Sequence, residues 1–135
     1  MKNDEKIKDD LYAYVSTSAL MTDQTKKVNG VLRKTLRPLD SENEDVVISI
    51  LANQYGQVQE SFINVNVYVK DVLRDGQYEE NTARLRTLCD LCYEVFEHHC
   101  GTDYDFWLDT QRVFPVDGKH EHFINNKLLY KTINE

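Results

Sequence analysis

The segment CDLCYEVFEHHC, residues 89–100, holds all three cysteines of the chain and two of its four histidines. Cys89 and Cys92 have the spacing of a metal knuckle, and His98, His99 and Cys100 follow closely, so a zinc site or a redox pair is the chemistry to test first. Zinc knuckles sit on turns, where backbone N–H groups reach the sulfurs, and no glycine or proline interrupts this stretch. A redox pair wants its first cysteine at a helix N-terminus, where the dipole lowers the thiol pKa. Cys89 instead lies well inside a helical pattern. Cysteine is also among the most buried residue types. The segment therefore reads as core packing, with no metal site and no cofactor. His120 and His122 alternate on a strand and share one face, where His98 or His99 would be needed to complete a metal site. They read as an exposed strand start.

Carboxylates are abundant, as in Glu42, Glu44 and Asp45 or in Asp103 and Asp105. Catalytic carboxylates need a cleft that shifts their pKa, and these fall in segments that read as solvated loops. The sequence has no phosphate-cradling glycine loop and no nucleophile elbow. Ser49 lies between apolar neighbours without a base. No enzyme is expected.

Two other features carry chemistry of contact. Lys26, Lys27, Arg33, Lys34 and Arg37 fall in one stretch without an acid. Three roles are open for this basic strip: protection of a strand edge, docking of an acidic neighbour such as the DSENED loop of an adjacent copy, and contact with nucleic acid. The stretch SFINVNVYVKD, residues 61–71, alternates cleanly. It places Asn64, Asn66 and Tyr68 on the face opposite its valines. Either a helix of the same chain covers that face, or it meets a partner, since tyrosine is enriched at interfaces and amides bond across them.

The elements that must position these groups follow from periodicity. A short helix over DDLYAYVSTSALM puts Ile7, Leu11, Tyr14 and Val15 on one face. KVNGVLRKTLRP reads as a strand with Leu32 and Leu36 on one side, ended by Pro38. VVISIL is a nearly continuous apolar run, the mark of a strand covered on both faces in mid-sheet. It forms a hairpin with VQESFINVNVYVKD, in which Ile63, Val65, Val67 and Val69 point inward. A connection with its turn at Asp75-Gly76 follows. Asn81 caps the strongest helix, over TARLRTLCDLCYEVFEHHC. Its apolar stripe comprises Leu85, Leu88, Cys89, Cys92, Val95, Phe96 and His99, and Gly101 ends it. DYDFWLDTQRVF and HEHFINNKLLYKTI make a second hairpin. The expected fold is α+β: one largely antiparallel sheet in the order helix, three strands, helix, two strands, with helices packed on it.

At 135 residues the chain makes one domain, 1–135, with a core large enough to need no staples. A formal net charge of -7 argues against general affinity for duplex DNA without excluding a local basic strip. No apolar run is long enough to cross a bilayer and no export signal is present, so no membrane partner is expected. An odd cysteine count then fits reduced thiols in a cytoplasmic setting.

LRPLDSENEDVVISILANQYGQVQESFINVNVYVKD resembles the middle of small bacteriophage tail-completion and tail-terminator proteins. An Arg-Pro strand end leads to an acidic loop, a buried strand, a glutamine-flanked turn and a VNVNVYV-like strand. The resemblance spans Val28 to Ile133 and is sharpest from Arg37 to Asp71. The short N-terminal helix and the CDLCYEVFEHHC segment depart from the pattern. The resemblance implies a tail-terminator-like domain acting as a structural virion protein. It forms a ring, sixfold or a multiple, at the head–tail junction or the head-proximal end of the tail. There it ends tail growth and joins the tail to the connector. It implies homo-oligomers, tail-tube or connector proteins as partners, DNA only in the channel, and location in the virion after assembly in the bacterial host cytoplasm. A ring needs a head-to-tail contact, for which Arg33, Arg37, Glu42, Glu44, Asn64, Asn66 and Tyr68 are candidate interface residues. The final strand offers a further edge for pairing with a neighbour. Two competing readings are a small cytoplasmic metal- or redox-responsive regulator built on the Cys/His-rich helix, and an adaptor that binds one host protein through Asn64, Asn66 and Tyr68.

Overall fold

A computed structural model describes residues 1–133. Helix α1 (Asp4–Ser16) starts at Asn3, whose side chain accepts from the Lys6 N–H, and buries Ile7, Leu11 and Val15. A single turn, α2 (Ala19–Thr22), buries Leu20. The strands are β1 (Leu32–Arg33), β2 (Val46–Gln54), β3 (Val58–Lys70), β4 (Val72–Arg74), β5 (Gln77–Glu79), β6 (His98–Cys100), β7 (Asp105–Pro115) and β8 (Glu121–Ile133). Helix α3 (Thr82–Phe96) lies between β5 and β6.

The expected α+β arrangement is overturned. The chain is mostly β, with 24% helix: a curled six-stranded mixed sheet, a half-barrel, plus a separate two-stranded one. The large sheet runs β1-β2-β3-β8-β7-β6, and β1 joins β2 in parallel. Each departure has a local cause. The segment expected as one long basic strand pairs only at Leu32 and Arg33. Its cations belong in water, and the N–H of Val31 donates instead to the Asp45 carboxylate. The Asp75-Gly76 turn forms as expected, with φ of 51° and 77°, and this left-handed pair folds β4 against β5 as a hairpin. Helix α3 stops at Phe96 rather than at Gly101. His98 then stacks on Trp107 and His99 on Phe106, their cross-strand partners in β7. Those ring contacts replace one more helical turn.

β2 lies between β1 and β3 but is flanked on both sides over only part of its length. Only its first two residues are flanked by β1, and a register shift between Ile50 and Ala52 breaks the alternation. Val46, Val47 and Ile48 are buried, whereas Leu51 is 57% exposed. The final strand is no edge either: β8 lies between β3 and β7 and pairs with both along most of its length. It cannot extend a neighbour's sheet.

The hairpin partners are as expected. Ile63, Val65, Val67 and Val69 form an uninterrupted buried row on β3. Opposite them Ile124, Leu128 and Tyr130 of β8 are fully buried. Both long helices close this inner face in a single core that includes Leu11, Leu88, Phe96 and Phe106. Asn81 caps α3 by accepting from the Arg84 N–H. Polar groups inside are matched. Gln59 is fully buried, accepts from the Lys2 N–H and donates to the Lys2 carbonyl, which pins the N-terminus. Asn126 donates to the Val65 carbonyl and accepts from Gln111. Among the described residues no buried side-chain nitrogen or oxygen lacks a partner. No helix there is long and apolar enough to cross a membrane.

Gly30 marks the tightest backbone approach. A Cβ there would lie 2.6 Å from the Asp45 backbone nitrogen and press on its carboxylate. Gly30→Ala is expected to cost about 1–3 kcal/mol through overpacking. Urea unfolding checks it; an unchanged midpoint would mean that this approach is looser than described.

Candidate interaction surface

The acidic segment after Pro38 folds inward. Glu44 and Asp45 are 8% and 1% exposed, so the expectation of a solvated loop fails for both. Their partners lie far away in sequence. Arg84 of α3 grips Glu44 through two nitrogens, each at 2.7 Å. The Glu44 backbone N–H donates to the Asn29 side chain, and the Asn29 N–H donates back to the Glu44 carboxylate. Arg37 sets its Nε against Asp45 at 2.8 Å and another guanidinium nitrogen against Glu121 at 2.6 Å. A third nitrogen donates to the Asn43 carbonyl. Each of the three guanidinium nitrogens donates one bond, which helps make a half-buried arginine tolerable.

Burial pushes the Asp45 carboxyl up. Hydrogen bonds from Ser41 and the Val31 N–H, together with Arg37, outweigh it and hold the group below the usual carboxylate range. Arg37 is pushed down by burial and raised by Glu121 and Asp45, with a net rise.

The guanidinium also lies over the Tyr68 ring, 4.3 Å from its centroid. Tyr68 opens the outer face of the sheet, the side that neither long helix covers. Asn64 and Asn66 sit on this face opposite Lys127 and Asn125 of β8. The Asn125 amide donates to both asparagines, at 3.1 Å and 2.8 Å. The amides are thus bonded within the sheet, although no helix covers them. Aromatic rings flank this ladder. Phe123 lies between Tyr68 and Phe114, with both centroid distances 5.7 Å. Lys127 caps Phe62, Lys131 caps Trp107 and Arg112 caps Phe114, at 4.5, 5.6 and 5.1 Å. The face is amphipathic and half-buried.

Of the seven candidate interface residues, Arg37 and Glu44 are engaged within the chain. Asn64, Asn66 and Tyr68 form one half-buried row on β3. Arg33 is exposed on β1, and Glu42 is exposed with Lys70 at 3.9 Å. The structure does not gather these seven into one patch. Arg84, Glu121 and Asn125 are central to the arrangement, and the sequence offered little to find them. Glu121 at the head of an alternating strand was the one signal, an acid in phase with Phe123 and Asn125.

The cysteines disperse. Cys92 is fully buried, and burial pushes its thiol up to about 12. Cys89 is half-buried, and Cys100 is exposed on β6. His120 stacks on Tyr78, and His122 meets Asp71 at 2.7 Å, far from the ring contacts of His98 and His99. Among the described residues no three His, Cys, Asp or Glu side chains form a group that could hold a metal ion. A depression of about 690 Å³ is lined by Lys2, Asp103, Tyr104, Trp107 and Lys131, among others. Its cations are already paired, Lys2 with Asp10 and Asp103 and Lys131 with Glu60.

The chain matches no protein-family model and no curated protein. The surface itself has to carry the functional reading.

Arg37→Met strands two carboxylates in a buried site, and a loss of about 3–5 kcal/mol is expected; a loss under 1 kcal/mol on denaturant titration would show the network to be dispensable. The Asp45 contribution also follows pH. Its folded-state pKa is depressed, so the stabilisation is complete above the ordinary carboxylate value of about 3.9 and fades as pH falls through the lower folded value. The stability gap between wild type and Asp45→Asn should therefore close on acidification below about pH 4. A gap that stays constant to pH 2 contradicts the assignment.

Proposed function

We propose that this chain is a structural protein of a tailed-phage virion. It forms a ring at the head–tail junction or the head-proximal end of the tail, ends tail growth there and joins the tail to the connector. It works by contact and not by catalysis. Its partners are copies of itself, six or a multiple, and tail-tube or connector proteins; DNA is met only in the channel.

The observation that carries this reading is the two-sided sheet. One face is sealed by both long helices, while the other presents an amide ladder bordered by capped aromatic rings. A half-buried, cross-bonded face of this kind suits a body whose task is to be docked against. The part of the sequence with the sharpest resemblance, Arg37 to Asp71, behaves as a unit in support. Arg37 anchors the acidic loop, the loop delivers β2, and β2 pairs with β3. The regulator reading draws less support, because Cys92 faces the core and Cys100 has left the helix.

Mass measurement of the purified protein, alone and with tail-tube or connector proteins, is the deciding experiment. A closed ring of six copies or a multiple, and the chain's presence in purified virions, are expected. A protein that stays monomeric with those partners and is missing from virions overturns the reading.

A further inference from the structure

The ring reading leaves open which surfaces meet, and the following rests on that reading. The acidic loop after Pro38 is excluded as the main acceptor, since Glu44 and Asp45 are paired internally. Two surfaces of opposite charge remain, and the fold puts them at opposite ends of the sheet.

The first surrounds β1, at one edge. Lys26, Lys27, Arg33 and Lys34 are all exposed. Lys34 pairs with Asp9, Lys26 has Asp23 as a neighbour through its backbone N–H, and among the described residues the side chains of Lys27 and Arg33 form no ion pair. Apolar side chains stand beside them: Val31 is 42%, Leu36 77% and Leu39 92% exposed. The half-buried, ion-paired Arg37 between the two leucines fixes the loop that displays them.

The second is the solvent side of the C-terminal half of α3, which runs into β6 at the other edge. Asp90, Glu94 and Glu97 are exposed at helical spacing and form one stripe. None has an ion-pair partner among the described residues. Tyr93, beside them, is 52% exposed. Arg86 lies one turn earlier on the same side. The N-terminal end of α3 touches the basic segment, where Arg84 donates to the Lys27 carbonyl. A helix of 15 residues spans roughly 20 Å, so its far end lies well away from that segment.

We infer that a second copy of this chain docks head to tail, with the basic, leucine-bearing β1 edge of one copy against the acidic α3 stripe and Tyr93 of the next. Different patches on each copy meet, as a closed ring requires. Charge sets orientation, and the leucines and Tyr93 supply the apolar centre.

Charge reversal with complementation tests this by native mass spectrometry and sedimentation. Arg33→Glu with Lys34→Glu should weaken assembly at least tenfold, and Asp90→Lys with Glu94→Lys should do the same. Mixing the two variants should restore rings, because each interface then pairs opposite charges. A chain carrying all four changes should also assemble alone. Thermal melts of each variant check folding. Wild-type rings that persist in both reversal variants, or losses that mixing does not rescue, overturn this contact and leave the ring reading intact. A wild type that never assembles overturns both.

Discussion

The half-buried guanidinium of Arg37 is the constraint on which the rest of the structure depends. It joins three parts of the chain that share no local preference for one another: the loop carboxylate of Asp45, the first residue of the last strand, Glu121, and the ring of Tyr68 in mid-sheet. Removing such charges from water is costly, and the attraction between them offsets the cost only when every donor and acceptor is matched. Here Ser41 and the Val31 N–H complete the shell of Asp45. Apolar residues in the same places would hold the loop with less cost and less direction. The ion pairs specify which loop meets which strand. In consequence β1 lies parallel to β2, and the sheet ends there.

With that corner fixed, the two faces of β3 and β8 take different tasks. The inner face is solved by burial: aliphatic rows meet two helices, and Gln59, Ser61 and Asn126 bond inside. The outer face lacks a cover and must tolerate water and contact alike. Asparagine is a poor strand former, yet three amides linked by two hydrogen bonds tie two strands together without creating a greasy surface. Lysine and arginine stems laid over Phe62, Trp107 and Phe114 reduce the apolar area that those rings expose. The odd residues between the valines are thereby explained by cross-strand partners and not by a helix.

What the sequence revealed was what local periodicity encodes. The valine row of β3, the Asn81 cap, the Asp75-Gly76 turn and both major hairpins depend on neighbours within a few residues. What it hid depends on distance or on ambiguity. Glu44 and Asp45 look solvated in a run of polar residues; their burial follows from Arg84 and Arg37, and through Arg37 from Glu121, 84 residues away from it. His99 falls in phase with the apolar stripe of α3, so helical spacing claims a residue that β6 holds. The shift at Ile50 leaves VVISIL reading as one continuous strand although only its first half is buried. Of the four charged interface candidates, Arg37 and Glu44 are taken up by internal ion pairs, while Arg33 and Glu42 stay exposed.

Net charge sharpens the question of how copies would approach. At -7 each, they repel at long range, but physiological salt screens separated charges beyond about 8 Å. Short-range pairing therefore decides orientation. In an acidic chain a concentrated cationic strip, in which Lys27 and Arg33 have no ion-pair partner among the described residues, marks this edge of the sheet. Edge strands left bare invite unregulated pairing. A two-residue β1 crowded by lysine and arginine offers almost no backbone for a foreign strand to match. The same residues that discourage sheet extension still attract a carboxylate surface of the right spacing. Protection and docking, posed as alternatives from sequence, are thus compatible properties of one edge.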